Sequence, residues 1–214
     1  MRTRAAPPRT PPPLSFAAMA ADTRQRLIDA AVGRFYRDGF RNVGLDQILA
    51  DVGISKTAFY KHFESKDDLM LAVLEYKNRW LQDLLRETCA ARGDRAPGDE
   101  LRALFDVVEQ FVEADDFHGC IFVNVVMEFP LPHEPAHQAA AQHKRAIEAL
   151  VCELAQQAGA ADPQTLAKDL CLVMEGAYVT RQVTGDAHAG VVARRVAECV
   201  ISSHLSLLKP TKLP

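Results

Sequence analysis

The stretch LDQILADVGISKTAFYKHF, residues 45–63, contains two short segments with apolar faces, separated by a glycine. Leu45 and Ile48 share one helical face, and Gly53 stands where a left-handed residue is needed to end a helix. Ser55 is placed to cap a second helix with its hydroxyl oxygen. The pattern therefore predicts two helices joined by a tight turn, which is a helix-turn-helix.

The second helix of this motif divides its side chains into two faces. Ala58, Phe59 and Phe63 are expected to point inward. The outward face and its flanks carry groups that can contact phosphate oxygens and base edges. The predicted DNA-contacting residues are Ser55, Lys56, Thr57, Tyr60, Lys61, His62 and Lys66. Because many helices carry a lysine face that is only solvated, the spacing alone leaves DNA binding and a solvated surface as alternatives.

An ordered set of residues without gaps extends this pattern over residues 22–70. Its members are Thr23-Arg24, Ala30-Ala31, Phe35, Gly39-Phe40, Ile48, Gly53-Ile54-Ser55, Phe59-Tyr60, His62-Phe63, Ser65-Lys66 and Leu69. The set resembles the N-terminal domain of the TetR family of transcriptional repressors. Val43, Gly44 and Ala58 depart from the hydroxyl residues common at these positions in the family. The caps and phosphate contacts that those hydroxyls make are therefore not expected in this chain.

The resemblance implies an all-α fold with an N-terminal three-helix helix-turn-helix DNA-binding domain and a C-terminal helical ligand-binding and dimerisation domain. We expect a disordered leader over residues 1–20, the DNA-binding domain over 21–66 and the second domain over 67–208. In the family, the last two helices of each subunit form a four-helix homodimer interface, and the middle helices enclose a pocket for a small, usually apolar effector. The implied partners are a palindromic double-stranded DNA operator, a second copy of the chain and that effector, with no cofactor.

Composition places the chain in the globular class. It has 214 residues, of which 48% are hydrophobic, and this is enough to bury a core. No apolar run approaches the ~20 residues of a membrane span, so no membrane partner and a cytoplasmic location are expected. The five cysteines form no close pair, which argues against a disulfide framework or a zinc knuckle and predicts small core residues.

The net charge of −3 is unusual for a DNA-binding protein. Within residues 22–70, eight lysines and arginines are balanced by eight carboxylates. Lys56, Lys61 and Lys66 recur five residues apart and predict a local basic face. Such a face is sufficient, because only charges close to the phosphates release counterions.

The first 18 residues are rich in proline and alanine and contain Arg2, Arg4 and Arg9. This composition predicts disorder. Met19 precedes an ordinary helix start and is therefore a candidate for the first translated residue. The alternative function for the segment is an arginine arm in the minor groove.

Beyond residue 66 the apolar spacing remains helical. Ser65 is expected to cap a long helix that ends near Ala91, and residues 91–100 form a loop. Residues 119–129 fit a strand or a buried helix, and a helix is favoured because no second strand is available to pair with. Further helices are expected over about 135–158, after Pro163 and at the C-terminus. Val191, Val192, Val196, Cys199 and Val200 are expected to form the apolar face of the last helix.

A ligand pocket is predicted among the middle helices, with Glu175 or His143 as its polar anchor. Glu175 stands out because its helical neighbours are apolar, and a buried carboxylate needs a partner. The predicted ligand-binding residues are Phe105, Phe122, Met127, His143, Met174, Glu175 and Tyr178. A constitutive regulator without an effector is the alternative.

A helical metal-dependent enzyme is a further alternative. It would use Glu128, His137, His143 and Glu175 as metal ligands, although solvation or a satisfied core histidine also explains them. Residues 133–137 match the letters HExxH. Pro135 is tolerated only at the first helical position, so His133 is expected outside the helix and a zinc-protease site is rejected. No catalytic residue and no metal site are therefore predicted.

Overall fold

A computed structural model describes residues 23–90 and 96–206 of the chain, and all regular structure in this part is helical. The helices are α1 (Thr23–Asp38), α2 (Leu45–Val52), α3 (Lys56–Phe59), α4 (Lys66–Ala90), α5 (Asp99–Glu113), α6 (Ile121–Glu128), α7 (Pro135–Gln157), α8 (Pro163–Thr184) and α9 (Ala189–Ser206). The all-α prediction is confirmed, including the helical reading of residues 119–129. The sequence also predicts that Asp22 caps α1 in a capping box with Gln25, but Asp22, the leader and residues 91–95 lie outside the described residues.

Local capping groups place several helix ends where the sequence predicts them. The Ser65 hydroxyl accepts from the Asp68 N–H at 3.0 Å and begins α4. The Asp162 carboxylate accepts from the Thr165 N–H at 3.1 Å, and Pro163 occupies the first position of α8. Within α1, the Gln25 side chain donates to the Asp29 carboxylate at 2.8 Å.

The described chain divides into two compact units. The head unit comprises the described residues up to 80 together with 120–143, and the C-terminal unit comprises 81–119 and 144–206. This division differs from the expected boundary at residue 67. The first half of α4 and most of α6 bury their apolar side chains in the head core, so both belong to the head unit.

The head core is built around five phenylalanines, packed with aliphatic side chains from α1, α2, α4 and α6. Its aromatic members are Phe35, Phe40, Phe59, Phe63 and Phe122. Phe35 and Phe40 stack with their ring centroids 4.9 Å apart, which ties the end of α1 to the loop that follows it.

The C-terminal unit packs α5, α8 and α9 together with parts of α4 and α7. The face of α9 that is buried in this core carries Ala189, Ala193, Ala197 and Ile201. A Cβ atom at Gly190 would lie only 2.7 Å from the Glu109 Cα, so α9 approaches α5 closely. This buried face differs from the apolar face of α9 that the sequence predicts. Small side chains permit the close packing, and the exposed residues are Val191, Val192, Val196 and Cys199.

Three described cysteines, Cys120, Cys152 and Cys171, are half-buried. Burial raises the pKa of the Cys171 thiol to about 11. Cys199 is exposed, so the prediction of a core residue is wrong for it. Among the described residues, no helix combines the length and apolarity that crossing a membrane requires.

Candidate nucleic-acid interface

The helix-turn-helix forms as the sequence predicts. Gly53 adopts φ 73°, and its N–H donates to the Leu49 carbonyl at 2.9 Å, which ends α2. The Ser55 hydroxyl accepts from the Ala58 N–H at 3.2 Å and begins α3. Gly44, at the start of α2, offers no side-chain acceptor, and its N–H donates to the Gln47 side chain at 2.8 Å.

The recognition segment is shorter than expected. Only four residues, Lys56–Phe59, are α-helical, and the chain continues in tighter turns, with the His62 N–H donating to the Phe59 carbonyl at 2.8 Å. Phe59 and Phe63 remain buried, with their ring centroids 5.8 Å apart. These two rings fix the inward side of the segment and so determine which side chains face solvent.

Most of the predicted DNA-contacting side chains lie on the outer side of this segment. Lys56, Thr57 and Lys61 are exposed, and 58% of Tyr60 is accessible to solvent. His62 is half-buried. Together they form one outward surface, which we call the α3 face: Lys56, Thr57, Tyr60, Lys61 and His62.

The two lysines of the α3 face have different surroundings. Lys56 pairs with Asp46 at 2.9 Å, and this pair raises the pKa of Lys56. Both partners are exposed, so water and salt screen the pair strongly. In the described part of the chain, no carboxylate lies within salt-bridge distance of Lys61. Lys61 is therefore the clearest candidate for a phosphate contact.

Lys66 has an internal role that the sequence did not indicate. Its ammonium group donates to the carbonyls of Phe40 at 2.8 Å and Val43 at 2.9 Å. The acceptors are 26 and 23 residues away in the sequence, so no local pattern could reveal them. Lys66 is half-buried and holds the loop between α1 and α2.

Several other cations of the head also act within it. Arg34 forms a two-pronged pair with Asp51, at 2.7 and 2.8 Å, and joins α1 to α2. The pair raises the pKa of Arg34 and lowers that of Asp51. Arg26 donates to the Val52 carbonyl at 2.6 Å. The Arg34–Asp51 pair lies away from the α3 face and neutralises itself, so the net charge of the head does not describe the local charge of that face.

Glu128, at the end of α6, also contacts the loop between α1 and α2. Its two carboxylate oxygens accept from the N–H of Phe40 at 2.8 Å and from the N–H of Arg41 at 2.6 Å. From its position in the sequence, Glu128 was only one of several dispersed metal-ligand candidates. Its partners are 87 and 88 residues away, so its contact with the head was missed.

Three predicted ligand-binding residues lie in the head unit. Phe122 stacks on His143 with ring centroids 3.6 Å apart, and the His143 Nδ1 lies 2.8 Å from the Asn78 Oδ1. Only 3% of His143 is exposed, so it is a satisfied core histidine. Met127 is 77% exposed, and its expected place in an enclosed pocket is corrected, because α6 turns it toward solvent.

The other four predicted ligand-binding residues lie in the C-terminal unit. Phe105 is 0% exposed, so no water-sized space adjoins its ring, and it fills the core instead of lining an open pocket. Met174 is buried beside it in the same core. Glu175 forms a half-buried ion pair with Lys144, and Tyr178 stacks on Phe117 with centroids 6.2 Å apart. The seven residues are therefore divided between the two units.

The metal-ligand alternative loses its geometric basis. His133 precedes Pro135, the first residue of α7, so His133 and His137 do not share a helical face. Glu128, His143 and Glu175 each have the partners described above. Within residues 23–90 and 96–206, no three His, Cys, Asp or Glu side chains are grouped to hold a metal ion.

An all-helical chain that presents a helix-turn-helix on a packed head defines a helix-turn-helix DNA-binding regulator. Residues 27–73 match the family model for bacterial regulatory proteins of the tetR family. Residues 97–197 match the model for the tetracyclin repressor-like C-terminal domain. The chain belongs to the TetR family of transcriptional regulators.

Known proteins of this family extend the likeness to most of the chain. A solved TetR-family transcriptional regulator from Streptomyces coelicolor is 28% identical, with a TM-score of 0.77, over 86% of this chain and 96% of that one. The HTH-type transcriptional regulator YjdC of Escherichia coli is 24% identical over 179 residues, 83% of this chain and 93% of YjdC. The HTH-type transcriptional activator FasR of Mycolicibacterium smegmatis is 33% identical over 129 residues, 60% of this chain and 55% of FasR. These relatives are regulators, and the chain is a DNA-binding regulator rather than an enzyme.

Proposed function

We propose that the chain is a homodimeric transcriptional repressor that acts in the cytoplasm, binds a palindromic operator through its two α3 faces and is released by a small molecule. The observation that carries the DNA-binding part is the α3 face itself. Its cations, hydroxyl groups and imidazole point outward from a segment whose inner side is held by Phe59 and Phe63. A rigid segment with an outward polar face is what major-groove reading requires.

The residues of the α3 face take different parts in this proposal. Lys56 and Lys61 contact phosphates, because a flexible ammonium group is a point charge that suits the backbone. Thr57 and Tyr60 lie nearer the base edges, with His62 beside them. Ser55 acts through the cap of α3, and Lys66 acts through the loop that it holds.

The homodimer is supported by apolar stripes on the last two helices. On α8, Leu172, Val179 and Val183 lie on one face and are 74%, 46% and 78% exposed. On α9, Val192 and Val196 form a similar stripe with 44% and 39% exposure. Contiguous exposed apolar surface of this kind marks association sites. We propose that α8 and α9 pair with their copies in a four-helix interface.

Repression is proposed because the C-terminal half matches the repressor-like domain model. One relative, FasR, is named as an activator, so the sign of regulation needs its own test. A reporter gene placed behind the selected operator is expected to be expressed less when the protein is present and more when it is deleted. Higher expression in the presence of the protein would reverse the assignment to an activator.

The charge of Lys61 is expected to make operator binding depend on salt. Lys61→Ala is expected to weaken binding to all operator variants alike and to flatten the dependence of log affinity on log salt by about 1 per head, because one phosphate contact is lost. The measurement is operator affinity at several salt concentrations, after selection of the operator from random duplexes. Arg145→Ala is the matched control, since Arg145 is exposed on α7 and its loss changes the net charge equally. Equal slopes for both variants would contradict the phosphate assignment.

Thr57 is expected to contact a base edge. Substitutions of Thr57 are expected to change the preferred base at one position of each half-site, with a discrimination of about 1–3 kcal/mol. Selection of binding sites with the variant and the wild-type protein measures this preference. A uniform loss of affinity without a change of preference would place Thr57 at the backbone instead.

A small-molecule effector is expected to release the protein from its operator. Met174, Glu175 and Tyr178 are the proposed ligand contacts, and the half-buried Lys144–Glu175 pair supplies a polar anchor next to two residues of the apolar core, Met174 and Tyr178. A full reversal of operator occupancy from 99:1 to 1:99 requires about 10⁴-fold tighter binding to the DNA-free form. About 200 Å² of extra apolar burial would supply most of that preference at ~25 cal/mol per Å².

The measurement is a small-molecule screen by thermal shift, followed by operator release. Effectors are expected to stabilise the wild-type protein and release DNA, and Glu175→Gln is expected to weaken both effects. Ligands that stabilise the protein without releasing DNA would favour a constitutive regulator.

A further inference from the structure

The loop between α1 and α2, residues 39–44, contains backbone groups that lie outside any helix. Two of them, the N–H groups of Phe40 and Arg41, donate to the two carboxylate oxygens of Glu128 at 2.8 and 2.6 Å. Hydrogen bonds from amides to a charged carboxylate are among the stronger ones in proteins. The loop is thus held by a side chain that belongs to α6.

The surroundings of this contact are shaped to admit the carboxylate. Gly39 adopts φ 85°, and a Cβ atom added there would lie 3.1 Å from the Glu128 Oε1. The left-handed backbone therefore favours glycine at this position, and a larger residue would crowd the carboxylate. Phe129, the residue after Glu128, adds a contact, since the Arg41 guanidinium lies over its ring, 4.7 Å from the ring centroid.

A second charged group holds the opposite side of the same loop. The Lys66 ammonium group donates to the carbonyls of Phe40 and Val43. Glu128 thus accepts from two N–H groups of the loop, and Lys66 donates to two of its carbonyls. The loop ends at Gly44, the N-cap of α2, so its position determines where the first helix of the helix-turn-helix begins.

We propose that Glu128 is a positioning residue for DNA binding: its carboxylate holds the loop between α1 and α2 and thereby keeps α2 and the α3 face in the geometry that reads the operator. This inference rests on the proposed function and adds a specific residue to it. Glu128 lies outside residues 27–73, which match the DNA-binding family model, and inside residues 97–197, which match the C-terminal model. A segment assigned to the C-terminal domain therefore completes the DNA-binding head.

The physical reason is the loss of two donors at once. Without the carboxylate, the amides of Phe40 and Arg41 must find water, and the loop opens more often. Phe40 itself remains anchored, because its ring is 1% exposed and stacks on Phe35. The expected effect is therefore a local loosening of the loop and of the start of α2, with the head still folded.

The test compares Glu128→Gln with Glu153→Gln in the full chain. Glutamine keeps the length of the side chain, but it lacks the charge. It also replaces one carboxylate oxygen with an NH₂ group, which cannot accept from the backbone N–H groups of the loop. Glu153 is an exposed carboxylate on α7 and serves as the matched control. Operator affinity is expected to fall about tenfold or more for Glu128→Gln, as expected for loss of charge-assisted hydrogen bonds, and to stay unchanged for the control.

Hydrogen exchange provides the readout that a general loss of stability would not give. For Glu128→Gln, protection at the amides of Phe40 and Arg41 is expected to fall at least about tenfold, while the core amides of α5 and α9 keep theirs. Glu128→Asp keeps the charge on a shorter side chain and is expected to recover part of the affinity. It also serves as the deciding variant if glutamine prevents the head from folding.

The outcomes separate this inference from the function on which it rests. Wild-type protein that selects no DNA would overturn the proposed function. An operator that wild-type, Gln and Asp proteins bind equally well would overturn only the role of Glu128. A loss of affinity without any change in exchange at Phe40 and Arg41 would also overturn it, because Glu128 would then act elsewhere.

Discussion

Leu172→Glu is expected to convert the dimer into a monomer and to lower operator affinity by more than about 100-fold, because pairing at α8 would bury two uncompensated carboxylates. Leu172 is 74% exposed in the single chain, so the substitution leaves the core of the subunit intact. Each head alone contacts only one half-site, so loss of the dimer removes half of the contacts with the operator.

Analytical ultracentrifugation measures the association state, and operator retention measures the affinity. Leu131→Glu is the matched control, since Leu131 is another exposed leucine, at 51%, and lies outside α8 and α9. We expect this variant to remain dimeric. A dimeric Leu172→Glu protein, or a monomeric control, would contradict the assignment of the interface to α8 and α9.

Phe59→Ala is expected to destabilise the head unit by about 3–5 kcal/mol, the cost of removing a fully buried aromatic side chain. Phe59 is 0% exposed and packs against Phe63, and it is the residue that anchors α3 to the head core. Operator binding should be lost at temperatures where the C-terminal unit is still folded. Hydrogen exchange should show the loss of protection in the head core, while the separate core of the C-terminal unit keeps its protection.

The neighbouring Tyr60→Ala variant separates stability from contact with DNA. Tyr60 meets the edge of Phe59 at 5.3 Å but is 58% exposed, so its removal should change the unfolding free energy by less than about 1 kcal/mol. Operator affinity should nevertheless fall, because Tyr60 lies on the α3 face. Equal stability losses for Phe59→Ala and Tyr60→Ala would show that the inward and outward sides of α3 are assigned wrongly.

The position of α6 in the head unit changes how the chain transmits signals in our proposal. With the expected domain boundary at residues 66 and 67, α4 would be the single covalent link between the head and the remainder of the chain. The head unit also contains residues 120–143, so the chain passes between the two units within α4, near Gly119 and within α7. Any effector that displaces α6 would act on the head through Glu128 as well as through α4.

The helix-turn-helix could be predicted from the sequence because neighbouring residues determine it. Gly53 ends α2 through its own left-handed backbone, and Ser55 caps α3 through an amide three residues away. Ser65 and Asp162 cap their helices in the same way. Such interactions span one turn of chain, so the order of residue types is sufficient to locate them.

The exposed side of α3 was also predictable for most of its residues. Once Phe59 and Phe63 are recognised as the buried pair, the helical period places Thr57 on the opposite side, and their polar groups favour exposure of Lys56 and Tyr60. The length of α3 was not predictable, because the single helical turn and the tighter turns after it satisfy the same spacing of apolar residues.

Tertiary structure decided which charged groups act within the head. Lys66 is indistinguishable in the sequence from a solvated lysine, and Glu128 lies 87 and 88 residues from the amides that it holds. Spacing along a chain carries no information about contacts between elements that are distant in sequence.

Tertiary structure also decided which face of α9 is buried. The valines at 192 and 196 and the alanines at 193 and 197 have the same helical period, so periodicity alone describes two candidate core faces. Hydrophobicity favours the valines as the core face, but α9 approaches α5 closely at Gly190, and this end of the helix packs through small side chains. The alanines are buried for this steric reason, and the valines remain on the surface, where we expect a second subunit to cover them.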